Sequence, residues 1–158
     1  MAGRQRSRQE LALSTQDVTT FVDEERVAIV TSIGPRGWPH AMPMWYVPEG
    51  GRISIWTAAR SQKVRNLERD PRATVLVEAG DSYGELRGVM IEAETEIVRD
   101  TDAIEAFAEQ LVARYPELAD GPLGTRDGLE TQIRRRVVLR FSPTRTTSWD
   151  HRKMGGSR

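Results

Sequence analysis

Thr57-Ala-Ala-Arg-Ser-Gln-Lys-Val-Arg-Asn-Leu-Glu-Arg-Asp-Pro71 reads as a short polar helix between two strands. Before it, Arg52 to Thr57 alternates apolar and polar residues, the period of a half-buried strand. After it, Ala73 to Glu78 is nearly all apolar and predicts a central strand. The helix itself spans Ser61 to Arg69 and stops at Asp70-Pro71, because proline cannot continue it.

Working outward, the same strand signals recur. Val27 to Ser32 is a first strand, and Gly34-Pro-Arg-Gly37 is a turn. Trp38 to Val47 is a second strand whose prolines, 39 and 43, place it at an edge or a bulge. A fifth strand covers Leu86 to Val98, with Gly88 marking a bend at a barrel corner. A sixth covers Arg136 to Phe141, and Thr146 to Trp149 is a short last one. Helices are expected over about 15–25, capped by Ser14 or Thr15, and over Thr101–Arg114, where Ile104, Phe107, Ala108 and Leu111 share a face. Residues 117–132 read as a loop with at most one helical turn. There is no βαβ alternation, no G-x-G-x-x-G and no P-loop. The fold class is therefore mainly β: a small antiparallel β-barrel with helical insertions, one domain over 15–153 between a flexible arm (1–14) and a tail (154–158).

Composition narrows the function. Twenty-three basic residues balance 23 acidic ones. A zero net charge argues against nucleic-acid or membrane-surface binding, which favours a basic field. No cysteine is present, so thiolate chemistry, disulfides and cysteine-ligated metals are excluded. No apolar run approaches a membrane span, and the basic N-terminus lacks a signal-peptide core, so a cytoplasmic protein is expected. The only histidines are His40 and His151, too few for a three-histidine metal site within one chain. Glu92, Glu94 and Glu96 alternate as a solvated face.

The mid-chain helix carries its charges in the wrong order. A helix N-terminus is electropositive and favours acids, yet the first turn holds Arg60 and Lys63, with Arg65 just behind and no acid. Lys63 and Lys153 are the only lysines. An anion at the helix start, held by backbone N–H groups, the Ser61 hydroxyl, Arg60 and Lys63, accounts for the order; a phosphate monoester is the natural candidate. A solvated cationic face capped by Ser61 is the plainer reading. Met42, Met44, Trp45 and Trp56 lie on neighbouring strands and either wall a slot for a flat ring or simply pack the core. The C-terminal run Thr147 to Met154 is either a solvated end or a segment reaching into a partner subunit. Arg134-Arg-Arg136 suits the acidic tail of a cofactor, although a surface run is the simpler reading.

Three stretches together resemble a known family: Ser61-Gln-Lys-Val-Arg-Asn-Leu-Glu-Arg-Asp-Pro-Arg-Ala73, Gly37-Trp-Pro-His-Ala-Met-Pro-Met-Trp-Tyr46 and Ser148-Trp-Asp-His-Arg-Lys153. They are similar to the pyridoxamine 5′-phosphate oxidase-like split-barrel proteins, and more narrowly to the flavin/deazaflavin oxidoreductase branch. The resemblance implies a six-stranded antiparallel split β-barrel of the FMN-binding type. It also implies a homodimer with two cofactor sites at its interface, and FMN or the deazaflavin coenzyme F420 as cofactor. The implied phosphate positions are Thr57, Arg60, Ser61 and Lys63, and the ring-backing strand is Met42, Pro43, Met44 and Trp45. Arg87 matches a polar contact to the ring, and Trp149, His151 and Lys153 match contributions from the partner subunit. The chain ends soon after Trp149, without the longer part that holds substrate phosphate in true pyridoxamine phosphate oxidases, so that activity is not expected. The expected activity is hydride transfer between the cofactor and a small organic substrate. The alternatives are a non-catalytic carrier of a flavin, F420 or haem, and a barrel kept for protein–protein contact.

Overall fold

The computed structural model describes residues 8–154. Residues 1–7 of the expected arm and 155–158 of the expected tail lie outside them. After α1 (Arg8–Leu11) and α2 (Thr15–Glu24) come β1 (Val27–Ile33), β2 (Pro39–Trp45), β3 (Val47–Glu49) and β4 (Arg52–Ala58). Then follow α3 (Gln62–Arg69), β5 (Arg72–Ala79), β6 (Arg87–Val98), α4 (Thr101–Arg114), α5 (Arg126–Ile133) and β7 (Arg136–Asp150).

All strand pairs are antiparallel, in the order β2-β1-β5-β6-β7-β4-β3. The edges of this sheet, β2 and β3, are separated in the chain by Tyr46 alone. One residue spans under 4 Å, so the sheet must curl until its two edges meet. Tyr46 is fully buried at that corner. Its N–H donates to the Tyr115 hydroxyl (3.1 Å), and its own hydroxyl donates to the carbonyl of Val22 (2.6 Å) or Glu25 (2.9 Å). Burial raises the Tyr46 pKa, so it stays a neutral donor.

The strand interiors follow the period of two. Ala28, Val30, Ile53, Ile55, Val75, Val77, Val89, Leu139 and Phe141 fill the barrel. A second core lies outside it, where Ile104, Phe107, Ala108 and Leu111 of α4 cover Trp56, Val47 and Val138. That is why β4 is buried on both faces from Ile53 to Thr57.

The sheet has seven strands where the resemblance implied six, and two strand boundaries differ from the sequence reading. The second expected strand breaks at Tyr46. The last two expected strands are one, because Pro143 sits at a bulge rather than at a stop. Between Glu92 and Ala93 the register with β7 skips Thr144, whose hydroxyl donates to the Glu92 carbonyl (3.0 Å). Gly88 keeps its place in both ladders, opposite Glu78 and Trp149, and the register shift of β6 lies four residues further on. Gly88 instead admits the Trp149 indole, since a Cβ there would lie 2.1 Å from the ring. Gly88→Ala should displace that indole at a cost of about 1 kcal/mol, read as a shifted tryptophan emission and a lowered urea midpoint. The loop expected over 117–132 contains α5, capped by Thr125, whose hydroxyl accepts from Gly128 N. Residues 8–13 lie against β7, where Leu13 N donates to the Ser148 hydroxyl (3.0 Å).

Candidate functional site

The chain leaves β4 at Ala58 and turns sharply: Ser61 N donates to the Ala58 carbonyl and Ala59 N to the Arg135 carbonyl, both at 2.9 Å. Ser61 is the residue before α3, but its side chain makes no capping bond; the Thr57 hydroxyl approaches it at 3.4 Å. No acid occupies the first turn of α3.

Lys63 lies on the inner face of this helix and is only 9% exposed. Its Nζ donates to the Thr57 hydroxyl (3.1 Å), and among the described residues no carboxylate forms an ion pair with it. Burial first, and the charge of Arg136 second, hold its pKa below the ordinary lysine value. Asn66, three residues on and fully buried, donates to the Ser32 hydroxyl (3.0 Å) and so pins α3 to β1. The spacing of three puts Lys63 and Asn66 on one helix face. Arg60 and Arg65 are exposed. His40, opposite Ser32 in the ladder, keeps a buried Nδ1 without a hydrogen-bond partner among the described residues.

The four residues expected to back a ring divide between two faces. Met42 and Met44 stand opposite Val30 and Ala28 and share the barrel-side face; Pro43 and Trp45 stand opposite Ile29 and Val27 on the outer face. Trp45 stacks flat on Tyr115, with centroids 4.7 Å apart and planes within 5°. Trp56 does not join them. Its even position on β4 points it under α4, where Arg136 lies 4.6 Å from its centroid, so the expected slot between Trp45 and Trp56 is not formed.

The remaining expected residues gather elsewhere. Arg87 pairs with Asp150 across the ladder, lies over Phe21 and is 3.8 Å from Glu25. Asp150 is 4% exposed, and hydrogen bonds from Arg152 hold its pKa below the usual carboxylate range. His151 Nδ1 is 2.8 Å from the Tyr83 carbonyl, and Lys153 donates to the Ala12 carbonyl. Trp149 lines a cleft of about 710 Å³ with Leu11, Leu13, Met90, Thr147 and His151.

Thr57 faces Val137 at the start of β7, and Trp149 lies twelve residues further along that strand. Twelve extended residues span about 40 Å of strand path. The phosphate-side set (Thr57, Ser61, Lys63) and the C-terminal set (Arg87, Trp149, His151, Lys153) therefore occupy opposite ends of β7. The structure brings each set together but does not join the two within one chain. Arg136 was legible only as part of the Arg134–Arg136 run, read either as a surface run or as suited to a cofactor's acidic tail, and Asn66 only as a member of the Ser61–Ala73 stretch, with no role of its own. Among the described residues no group of acids and histidines could hold a metal, and no helix is long and apolar enough to cross a membrane.

The family model described as pyridoxamine 5′-phosphate oxidase matches residues 14–150. The chain belongs to this family. Among solved members of the same fold, a conserved hypothetical protein of Mycobacterium tuberculosis is 35% identical, with a TM-score of 0.83, covering 98% of this chain and 95% of that one. A protein described as an F420 reductase is 25% identical, with a TM-score of 0.62 over 80% of this chain and 93% of its own. The haem storage protein HutZ of Vibrio cholerae is 16% identical, with a TM-score of 0.63 over 83% and 90%, and shares the fold alone. No curated protein matches. The pyridoxamine 5′-phosphate oxidase fold thus comes with more than one described role, and the role of this member rests on its own site.

Proposed function

We propose that the protein is an oxidoreductase that binds FMN or coenzyme F420 between two copies of itself and passes hydride to or from a small organic substrate. The carrying observation is Lys63: a buried cation tied to one hydroxyl, with no carboxylate partner among the described residues, at the acid-free start of α3. A buried charge without a counter-ion is costly, and an anionic ligand group offsets that cost. The donors fit a phosphate: the Ser61 hydroxyl, the Thr57 hydroxyl, the first N–H groups of α3 and Lys63, with Arg60 at the rim.

When bound, the cofactor supplies the hydride chemistry. The chain's own residues hold its anionic end at α3 and keep water from the Lys63 side. Met42 and Met44, on the barrel-side face of β2, offer polarizable surface. A second copy completes the site, because Arg87 and Trp149 are too far along β7 to reach it in cis. The outer sheet face supports such pairing: Val27 (45% exposed), Ile33 (38%) and Trp45 (37%) are large apolar groups left open there.

The test is a pair of titrations, FMN and F420, followed by anaerobic mixing of the reduced complex with acceptors, alongside sedimentation equilibrium. A dimer that binds one cofactor and oxidises it faster than free cofactor supports the reading. Binding without any acceleration favours the carrier, and binding of neither overturns the proposal.

A further inference from the structure

We propose that Arg136, on the strand facing the α3 turn, is the second cation of the anion site, and that Lys63 and Arg136 together select a ligand carrying two negative charges near its anchored end. This rests on the reading that Lys63 meets the ligand's anion, and it adds a residue and a charge requirement to it.

The placement is set by backbone. Arg136 stands opposite Ala58 in the β4–β7 ladder, and the Ala59–Arg135 hydrogen bond holds the following turn against the same residues. The guanidinium is aligned by the Trp56 ring beneath it and by Nε, which donates to Gln132 Oε1 (2.9 Å). Among the described residues its two terminal NH₂ groups make no hydrogen bond and it forms no ion pair. Other arginines differ: Arg134 pairs with Glu130, and the half-buried Arg114 is engaged by the carbonyls of Val22, Asp23 and Glu25. Thr57, which holds the Lys63 amine, is followed by Ala58, which stands opposite Arg136, so both cations lie at one end of the β4–β7 ladder; in keeping with that, burial lowers the Arg136 pKa and its charge lowers that of Lys63. Two partly desolvated like charges at one turn repel unless an anion lies between them. The fork of free NH₂ groups suits a phosphate or carboxylate bidentately. A phosphate monoester such as that of FMN brings both charges in one group; F420 brings one on its phosphodiester and others on its carboxylates.

Arg136→Gln keeps a polar stem over Trp56 and removes the charge. Its thermal midpoint in inorganic phosphate, against chloride at matched ionic strength, is compared with wild type and Lys63→Ala. Dissociation constants are measured for FMN, riboflavin, F420 and the F420 chromophore lacking phosphate. The expected result is that phosphate stabilises wild type but neither variant. Arg136→Gln should bind the phosphorylated cofactor about 10- to 150-fold more weakly, the size of a lost charge-assisted contact, with the unphosphorylated forms within twofold. A larger loss for FMN than for F420 identifies the monoester as the source of both charges; the reverse identifies the carboxylates. Phosphate stabilisation that needs Arg136, with neither cofactor bound, leaves the two-cation site standing and removes the cofactor reading. Unchanged phosphate and cofactor affinity in Arg136→Gln, with loss only in Lys63→Ala, overturns the inference and spares that reading. Equal weakening of phosphorylated and unphosphorylated forms also overturns it.

Discussion

Lys63→Ala is expected to weaken binding of the phosphorylated cofactor by about 10- to 150-fold, since it deletes a charge-assisted contact worth roughly 1.5–3 kcal/mol. Fluorescence titration reads the loss directly. The fold should survive, because the Lys63 amine makes one hydrogen bond, to Thr57, and α3 is anchored separately by Asn66. Stability should move the other way. A lysine whose pKa is lower in the folded chain binds its proton more weakly there than in the unfolded chain. Its charge therefore opposes folding at neutral pH, and the cost is relieved as pH rises through the folded value towards 10.5. Lys63→Met, which keeps the stem, should raise the anion-free stability by about 1 kcal/mol at pH 7. The gap to wild type should narrow on the way to pH 10 in urea unfolding. A variant that binds cofactor as tightly as wild type removes Lys63 from the site.

Tyr115→Phe is expected to cost about 2–3 kcal/mol, a large loss for the deletion of a single atom. Tyr115 is fully buried, and its hydroxyl sits where the two sheet edges meet. It accepts from Tyr46 N (3.1 Å) and Arg114 Nε (3.3 Å) and donates to the carbonyl of Tyr46 (2.8 Å) or Arg26 (2.9 Å). Phenylalanine keeps the Trp45 stack but leaves the buried Tyr46 N–H without an acceptor, at about 1–3 kcal/mol for that group alone. For a domain of this size the thermal midpoint should fall by roughly 5–10 °C. Because Tyr46 joins β2 to β3, loosening it also frees β2, and cofactor affinity should fall with stability. A loss below about 0.5 kcal/mol would show that the corner is held by packing alone.

The barrel was legible wherever one face is buried. The β-branched run of β1, the apolar run of β5, the α4 stripe and the Asp70-Pro71 stop all report local contrast between water and core. The α3 charge order was legible too, because end effects act within one turn. What failed depended on partners far along the chain. Tyr46 interrupts a strand because Tyr115, 69 residues away, takes its N–H. Pro143 does not interrupt one, because β7 bulges beside it at Thr144, whose hydroxyl bonds the Glu92 carbonyl of β6. Trp56 looked like a ring wall, yet α4, some 50 residues later in the chain, covers it.

By itself, then, the order of residues determined a mainly β domain with one helix opening on cations instead of acids, since hydrophobic period and terminal charge are short-range. Only the tertiary structure decided that Lys63 is buried, that Arg136 stands opposite Ala58 in the β4–β7 ladder, and that the C-terminal residues lie at the other end of β7. Burial and charge proximity are properties of the packed chain, and desolvation turns an ordinary surface cation into one that calls for an anion.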